Sequence, residues 1–94
     1  MTKNEVITFL RNKKSYLQDN YGVLKIGLFG SYAREEQKDS SDIDILVDMP
    51  SSFKKFYDLK YFLEKEFQKN VDLGTVNNLR AFIGNRIEKD IIYV

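Results

Sequence analysis

Two short runs of strand-forming residues constrain the fold of this chain more than any other feature. Residues 23–29 are almost entirely apolar, which is typical of a buried strand. Residues 42–48 begin with alternating acidic and aliphatic side chains, the pattern of a half-buried strand. Helical periodicity precedes the first run and follows the second, and residues 71–76 form another short strand-like run. This order predicts an α/β (α+β) fold, in which helices pack on a small mixed sheet.

Local signals in the first third of the chain predict a helix on each side of the first strand. Thr2 and Glu5 have the spacing of a capping box, and apolar residues at helical spacing follow them. Gly22 ends this pattern, as glycine commonly does just past a helix. Ser31 can cap a short polar helix over residues 32–37. We therefore expect one long helix before the first strand and one short helix after it.

The remainder of the chain predicts two further helices, each followed by a strand. Residues 50–52 end the second strand and cap a helix whose inward face would comprise Phe56, Leu59, Leu63 and Phe67. Asn77 and Asn78 can cap a last helix, with an apolar stripe of Leu79, Phe82, Ile83 and Ile87. Residues 91–94 are expected to form a final edge strand. Because no linker or internal repeat interrupts this order, residues 1–94 are expected to form a single domain.

The amino-acid composition excludes several kinds of chemistry. The chain has no cysteine and no histidine, which excludes thiolate nucleophiles, Ser-His-Asp triads and Cys/His zinc sites. Its 15 basic and 14 acidic residues give a net charge of +1, so neither direct nucleic-acid binding nor a polybasic membrane surface is expected. No apolar run approaches the length of a membrane span, and a cytoplasmic location is expected. Catalysis would have to use carboxylates, hydroxyls, Lys, Arg or a hard cation.

Asp42 and Asp44 stand two residues apart at the start of the second predicted strand. Side chains alternate along a strand, so both carboxylates would point to the same face, with Cα atoms about 6.6 Å apart. One hard divalent cation could bridge two acids at this spacing. Taken alone, the pair is equally consistent with surface aspartates that protect an edge strand from aggregation.

Gly30 and Ser31 form a junction between a buried strand and the start of a helix. Unpaired backbone N–H groups there can bind a phosphate, and Arg34 could reach the same anion with both guanidinium arms. An isolated Gly-Ser pair is more often a tight turn with an ordinary helix cap. If the second and third strands are parallel, however, Asp72 lies level with Asp44. Three carboxylates beside a phosphate site favour metal-assisted phosphoryl or nucleotidyl transfer.

These residues also resemble a known motif. The Gly-Ser pair, the ten residues after it and the Asp-Ile-Asp of residues 42–44 are similar to the Gly-Ser-x10-Asp-x-Asp motif of the polymerase-beta-like nucleotidyltransferase superfamily. The wider string over residues 30–48 resembles the minimal nucleotidyltransferases, the MNT or MntA type. Members of that group are antitoxins of HEPN-domain ribonuclease toxins.

The resemblance implies a reaction and a role for each residue of the motif. It implies Mg²⁺-dependent transfer of AMP from ATP to a tyrosine hydroxyl of a partner HEPN toxin, with release of pyrophosphate. Asp42 and Asp44 would bind two Mg²⁺ ions. Asp72 would complete the metal site and accept the proton of the attacking hydroxyl. Gly30 and Ser31 would hold the phosphates of ATP.

Some assignments remain open at this point. Glu35 stands where many relatives carry glycine, so Arg34 is either a phosphate ligand or a solvated residue paired with a nearby acid. Asp48 is expected to be a strand-end residue rather than a ligand. Two other functions are possible: an antitoxin that neutralises its partner by binding alone, and a small-molecule nucleotidyltransferase. The three acids argue against the first, and the short chain argues against the second.

Overall fold

The computed structural model describes residues 1–76 and 90–94. Four helices and four strands lie in these residues: α1 (Lys3–Asn12), α2 (Lys14–Tyr21), β1 (Lys25–Phe29), α3 (Gly30–Ala33), β2 (Ile43–Asp48), α4 (Phe53–Phe67), β3 (Val71–Thr75) and β4 (Ile92–Tyr93). The helix predicted from Asn77 and Asn78 onwards lies outside the described residues. None of the helices described is both long and apolar enough to cross a membrane.

The four strands form one mixed sheet in the order β3-β2-β1-β4. Strand β1 is antiparallel to both β2 and β4, whereas β2 and β3 are parallel. Parallel neighbours require a long crossover, which α4 supplies. The predicted α/β (α+β) fold with a small mixed sheet is therefore confirmed. Among the described strands, β3 and β4 occupy the two edges, as expected for the last strand.

The hydrophobic core lies on one face of the sheet, between the strands and helices α1, α2 and α4. Alternate residues of the strands point to this face and are almost fully buried, among them Ile26, Leu28, Ile43, Ile45, Val47 and Val71. The helices contribute Val6, Leu10, Leu17, Leu59 and Leu63, each without solvent-exposed surface. Because side chains alternate, the residues between the aliphatic ones point to the opposite face. This alternation directs Asp44 and Asp72 away from the core.

Three predicted helix ends are confirmed. The Thr2 side chain accepts a hydrogen bond from the Glu5 N–H, and the Glu5 carboxylate accepts one from the Thr2 N–H, which completes the capping box. Gly22 ends α2 in the left-handed conformation, at φ +70°. Ser52 caps α4 by accepting a hydrogen bond from the Lys55 N–H at 3.3 Å.

Two helix predictions are wrong in detail. The expected long first helix is divided at Lys13, whose φ and ψ of −96° and 3° separate α1 from α2. Ser31 does not cap α3, because the helix already begins at Gly30 and Phe29 occupies the capping position in an extended conformation. The predicted helix over residues 32–37 is accordingly shorter and begins earlier.

Candidate active site

Gly30 lies where β1 turns into α3, and the local geometry requires glycine there. Its φ of +72° is in the left-handed region, which other residues adopt at a cost of roughly 1–2 kcal/mol. A Cβ atom on Gly30 would overlap Asp44 Oδ2 and lie 2.8 Å from Asp44 Cγ. The Asp44 carboxylate therefore packs directly against the backbone of Gly30. Ser31 follows as the second residue of α3.

Two predicted site residues, Asp44 and Asp72, face each other across the parallel pair of strands. They are direct partners in the β2–β3 register, so their side chains share one face of the sheet. The two carboxyl groups are close enough to hydrogen-bond. Asp42 immediately precedes β2 rather than lying within it, and its side chain is exposed. Asp48 lies on the same face as Asp44 but ends the strand, opposite Lys25.

The environment of Asp44 disfavours its ionised form. Burial, together with the negative charges of Asp72 and Asp42, raises the pKa of Asp44 to about 6. The positive charge of Arg34 acts in the opposite direction and lowers the pKa. The charges of three carboxylates and one guanidinium thus interact around Asp44, where the side chain of this residue packs against Gly30. Mutual repulsion of this kind is relieved when a cation binds.

The raised pKa of Asp44 predicts a specific pH dependence of stability. The ordinary pKa is 3.8, so the folded chain binds this proton more tightly than the unfolded chain does. The free energy of unfolding should therefore fall as the pH rises from about 4 to about 6, and Asp44→Asn should remove this component. Thermal unfolding without divalent cations tests the prediction. The unaltered chain and Asp44→Asn should have similar midpoints of thermal unfolding near pH 4, and the midpoint of the variant should be the higher one above pH 6. A difference between the two midpoints that does not change with pH would contradict the prediction.

Arg34 is paired with two acids in this structure. Its Nε lies 3.4 Å from Glu36 Oε2, and its Nη1 lies 3.8 Å from Asp90 Oδ2. Glu35, the residue between Arg34 and Glu36, adopts a left-handed φ of 58° and directs its carboxylate to Lys3, 3.9 Å away. The Arg34 guanidinium thus forms ion pairs with two acids. Its positive charge nevertheless lowers the pKa of Asp44. No motif or spacing in the sequence marks Glu36 or Asp90 as a partner of Arg34.

An open cleft lies beside Asp42, on the side of the sheet where β2 and β3 begin. It has a volume of about 560 Å³ and is bordered by residues 39–42 and by the turn after α4, residues 68–70. Lys69 Nζ donates a hydrogen bond to the Asp39 carbonyl oxygen at 2.8 Å and so joins the two walls. Neither Asp44, Asp72 nor Gly30 lines this cleft, so it adjoins the candidate site at Asp42 and does not contain it.

The acids fit a magnesium ion in chemical type. Carboxylate oxygens are the hard ligands that Mg²⁺ prefers, and the repulsion around Asp44 is the kind that a bound cation relieves. Within residues 1–76 and 90–94, no group of three or more acidic side chains stands in a metal-coordinating arrangement. The pair Asp44 and Asp72 is the part of the candidate metal site that is assembled, and Asp42 lies exposed beside it.

Solved structures are similar to this chain in fold. A provisionally identified minimal nucleotidyltransferase superposes with a TM-score of 0.81 at 24% identity, covering 98% of this chain and 95% of that one. A toxin–antitoxin structure with AMP-PNP has a TM-score of 0.58 at 30% identity, covering 82% of this chain and 59% of that one. The likeness to the minimal nucleotidyltransferase, at 24% identity, concerns the fold alone. It confirms the polymerase-beta-like fold expected from the motif.

The sequence is similar to curated relatives over nearly its whole length. A family model described as a nucleotidyltransferase domain matches residues 10–94. MJ1217 of Methanocaldococcus jannaschii, provisionally named a protein adenylyltransferase, is 43% identical over 99% of this chain and 98% of its own. The protein adenylyltransferase MntA of Thermococcus cleftensis is 38% identical over 100% of this chain and 97% of its own. The chain therefore belongs to the nucleotidyltransferase domain family and is a minimal, MntA-type nucleotidyltransferase.

Proposed function

We propose that this protein is an antitoxin that transfers AMP from ATP to a tyrosine hydroxyl of a partner HEPN-domain ribonuclease toxin. The observation that carries the proposal is the pair Asp44 and Asp72, which face each other beside Gly30. Two relatives are named as protein adenylyltransferases, and a similar solved structure contains a toxin, an antitoxin and AMP-PNP. These names support both the type of reaction and the type of partner.

The proposed reaction assigns one task to each part of the site. Backbone N–H groups of Gly30 and Ser31 donate hydrogen bonds to the phosphates of ATP, and Arg34 binds the same anion. The tyrosine oxygen bonds to the α-phosphorus, the bond from that phosphorus to the bridging oxygen breaks, and pyrophosphate leaves. Asp72 accepts the proton of the attacking hydroxyl; its side chain is exposed on an edge strand, where an incoming residue can reach it.

Magnesium bound by Asp42, Asp44 and Asp72 would neutralise the charge of the triphosphate and activate the attacking hydroxyl. Two observations support this assignment: the carboxylate donor set, and the repulsion that raises the pKa of Asp44. The exposure of Asp42 and Asp72 supports an acceptor supplied by another protein, because an incoming side chain can reach both carboxylates from solvent.

The direct test is the intact mass of the HEPN toxin after incubation with this protein, ATP and Mg²⁺. The toxin should gain one or more AMP units, and EDTA should abolish the gain, because a divalent cation is required. Asp42→Asn should also abolish it, since this change removes a metal ligand from an exposed position where the fold tolerates it.

Each of three other results would contradict a different part of the proposal. A stable complex with an unmodified toxin would instead support an antitoxin that acts by binding alone. Full transfer in EDTA, or by Asp42→Asn, would refute the metal assignment while leaving the reaction type intact. Peptide mapping of the modified toxin should place AMP on a tyrosine, and AMP on another residue type would correct the acceptor.

A further inference from the structure

The contacts of Arg34 suggest how the chain sets its affinity for nucleotide, an inference that rests on the proposed binding of ATP. Arg34 is the predicted phosphate ligand, yet in this structure it is bound by Glu36 and Asp90. The Glu36 carboxylate accepts a hydrogen bond from Arg34 Nε, and the Asp90 carboxylate attracts the guanidinium as an ion pair at 3.8 Å, so both acids favour a guanidinium that is not bound to a phosphate. We infer that Asp90 and Glu36 are positioning residues that compete with the phosphates of ATP for Arg34 and thereby weaken nucleotide binding.

The fold brings the two acids to Arg34 from different directions. Glu36 follows Arg34 by two residues, and the left-handed conformation of Glu35 turns the chain so that Glu36 reaches back. Asp90 comes from the other end of the chain, just before β4. Strand β4 pairs with β1, and β1 leads directly into α3, so this pairing places Asp90 beside the end of α3.

The geometry of the two ion pairs indicates that a phosphate can displace them. The side chains of Arg34 and Asp90 are 45% and 43% exposed, and that of Glu36 is 66% exposed. Exposed pairs of this kind contribute little, because water and salt screen them. A triphosphate carries more charge and can engage a guanidinium through two parallel hydrogen bonds. Arg34 ends α3 and its backbone N–H donates a hydrogen bond to the Gly30 carbonyl oxygen at 3.2 Å, so it lies one helical turn from the proposed phosphate site.

Calorimetric titration with AMP-PNP and Mg²⁺ tests the inference. Asp90→Asn should tighten binding about two- to fivefold, the range expected when an exposed ion pair is lost. Glu36→Gln should act in the same direction, and Asp90→Glu should bind as the unaltered chain does. Asp19→Asn is the matched control, because Asp19 is exposed on α2, which packs against α1 and α4. This variant should bind AMP-PNP with unchanged affinity.

A double-mutant cycle separates competition for Arg34 from simple removal of a negative charge near ATP. In an Arg34→Ala background, Asp90→Asn should have no effect on AMP-PNP affinity, because its partner is absent. A twofold or larger tightening that persists in that background would overturn the inference. In the transfer assay, Asp90→Asn should lower the KM for ATP without raising kcat, and thermal unfolding should confirm that the variants remain folded.

The two proposals can fail separately. If the unaltered chain does not bind AMP-PNP, the proposed function is wrong and this inference falls with it. If the chain binds AMP-PNP and Asp90→Asn binds it equally well, only the inference is refuted.

Discussion

Gly30→Ala should reduce AMP transfer about a hundredfold and lower the free energy of unfolding by more than the cost of a strained backbone alone. Alanine at φ +72° costs roughly 1–2 kcal/mol. Its Cβ would in addition overlap the Asp44 carboxylate, which must then move away from the end of β1. Displacement by about 1 Å in a positioned site can reduce rates about a hundredfold. Urea unfolding and the toxin-modification assay, run on the same preparation, measure the two effects.

Gly22→Ala is the matched control for this change. Gly22 has nearly the same φ, +70°, but it ends α2, and the nearest atom to an added Cβ is Pro50 Cδ at 3.5 Å. The backbone strain should therefore be similar, with a loss of roughly 1–2 kcal/mol, while transfer is retained. If both variants lost transfer in equal measure, general destabilisation would explain the result, and the close contact between Gly30 and Asp44 would have no special role.

Asp44→Asn should reduce transfer about a hundredfold or more while the chain remains folded. The substitution removes one carboxylate from the proposed metal site, and a metal ion in such a site stabilises the transition state by several kcal/mol. Asparagine has nearly the same shape and carries no charge, so the repulsion from Asp72 disappears. Single-turnover transfer at saturating ATP measures the chemical step, and circular dichroism reports the fold.

Asp48→Asn tests whether position on the sheet, rather than charge, decides the outcome. Asp48 lies on the same strand and the same face as Asp44, but at the far end of β2, opposite Lys25. The same substitution there should leave the rate of transfer unchanged. Equal losses in the two variants would show that the net charge of this face matters rather than a local site, and unchanged transfer in Asp44→Asn would refute its assignment.

The sequence predicted the sheet well because the relevant forces are local and periodic. Alternation along residues 42–48 directs Ile43 to the core and Asp44 away from it, as the burial of the two side chains shows. The length of the helix after this strand favoured a parallel crossover, which places Asp72 level with Asp44. Serine often caps helices, which favours Ser31 as the cap of α3, yet the backbone enters the helix one residue earlier, at Gly30.

Other features could not be predicted, because they depend on contacts between distant segments. The division of the first helix falls at Lys13, which is neither glycine nor proline, so no residue type marks it. The pairing of Arg34 with Asp90 requires β4 to pair with β1, and Asp90 has no feature that distinguishes it from other surface acids. Glu36 could be recognised only once the left-handed conformation of Glu35 was known.

The parallel pairing of β2 with β3 also bears on how the chain folds. Strands β1 and β2 are close in sequence, whereas the whole of α4 separates the strands that carry Asp44 and Asp72. Contacts across such a separation form late, since the entropy of closing the intervening segment is lost before they are made. Electrostatic repulsion between the two acids opposes the same step. We therefore expect the Asp44–Asp72 pair to form after the β1–β2 pair, and a proton or cation that neutralises the two acids to assist the folding of the chain.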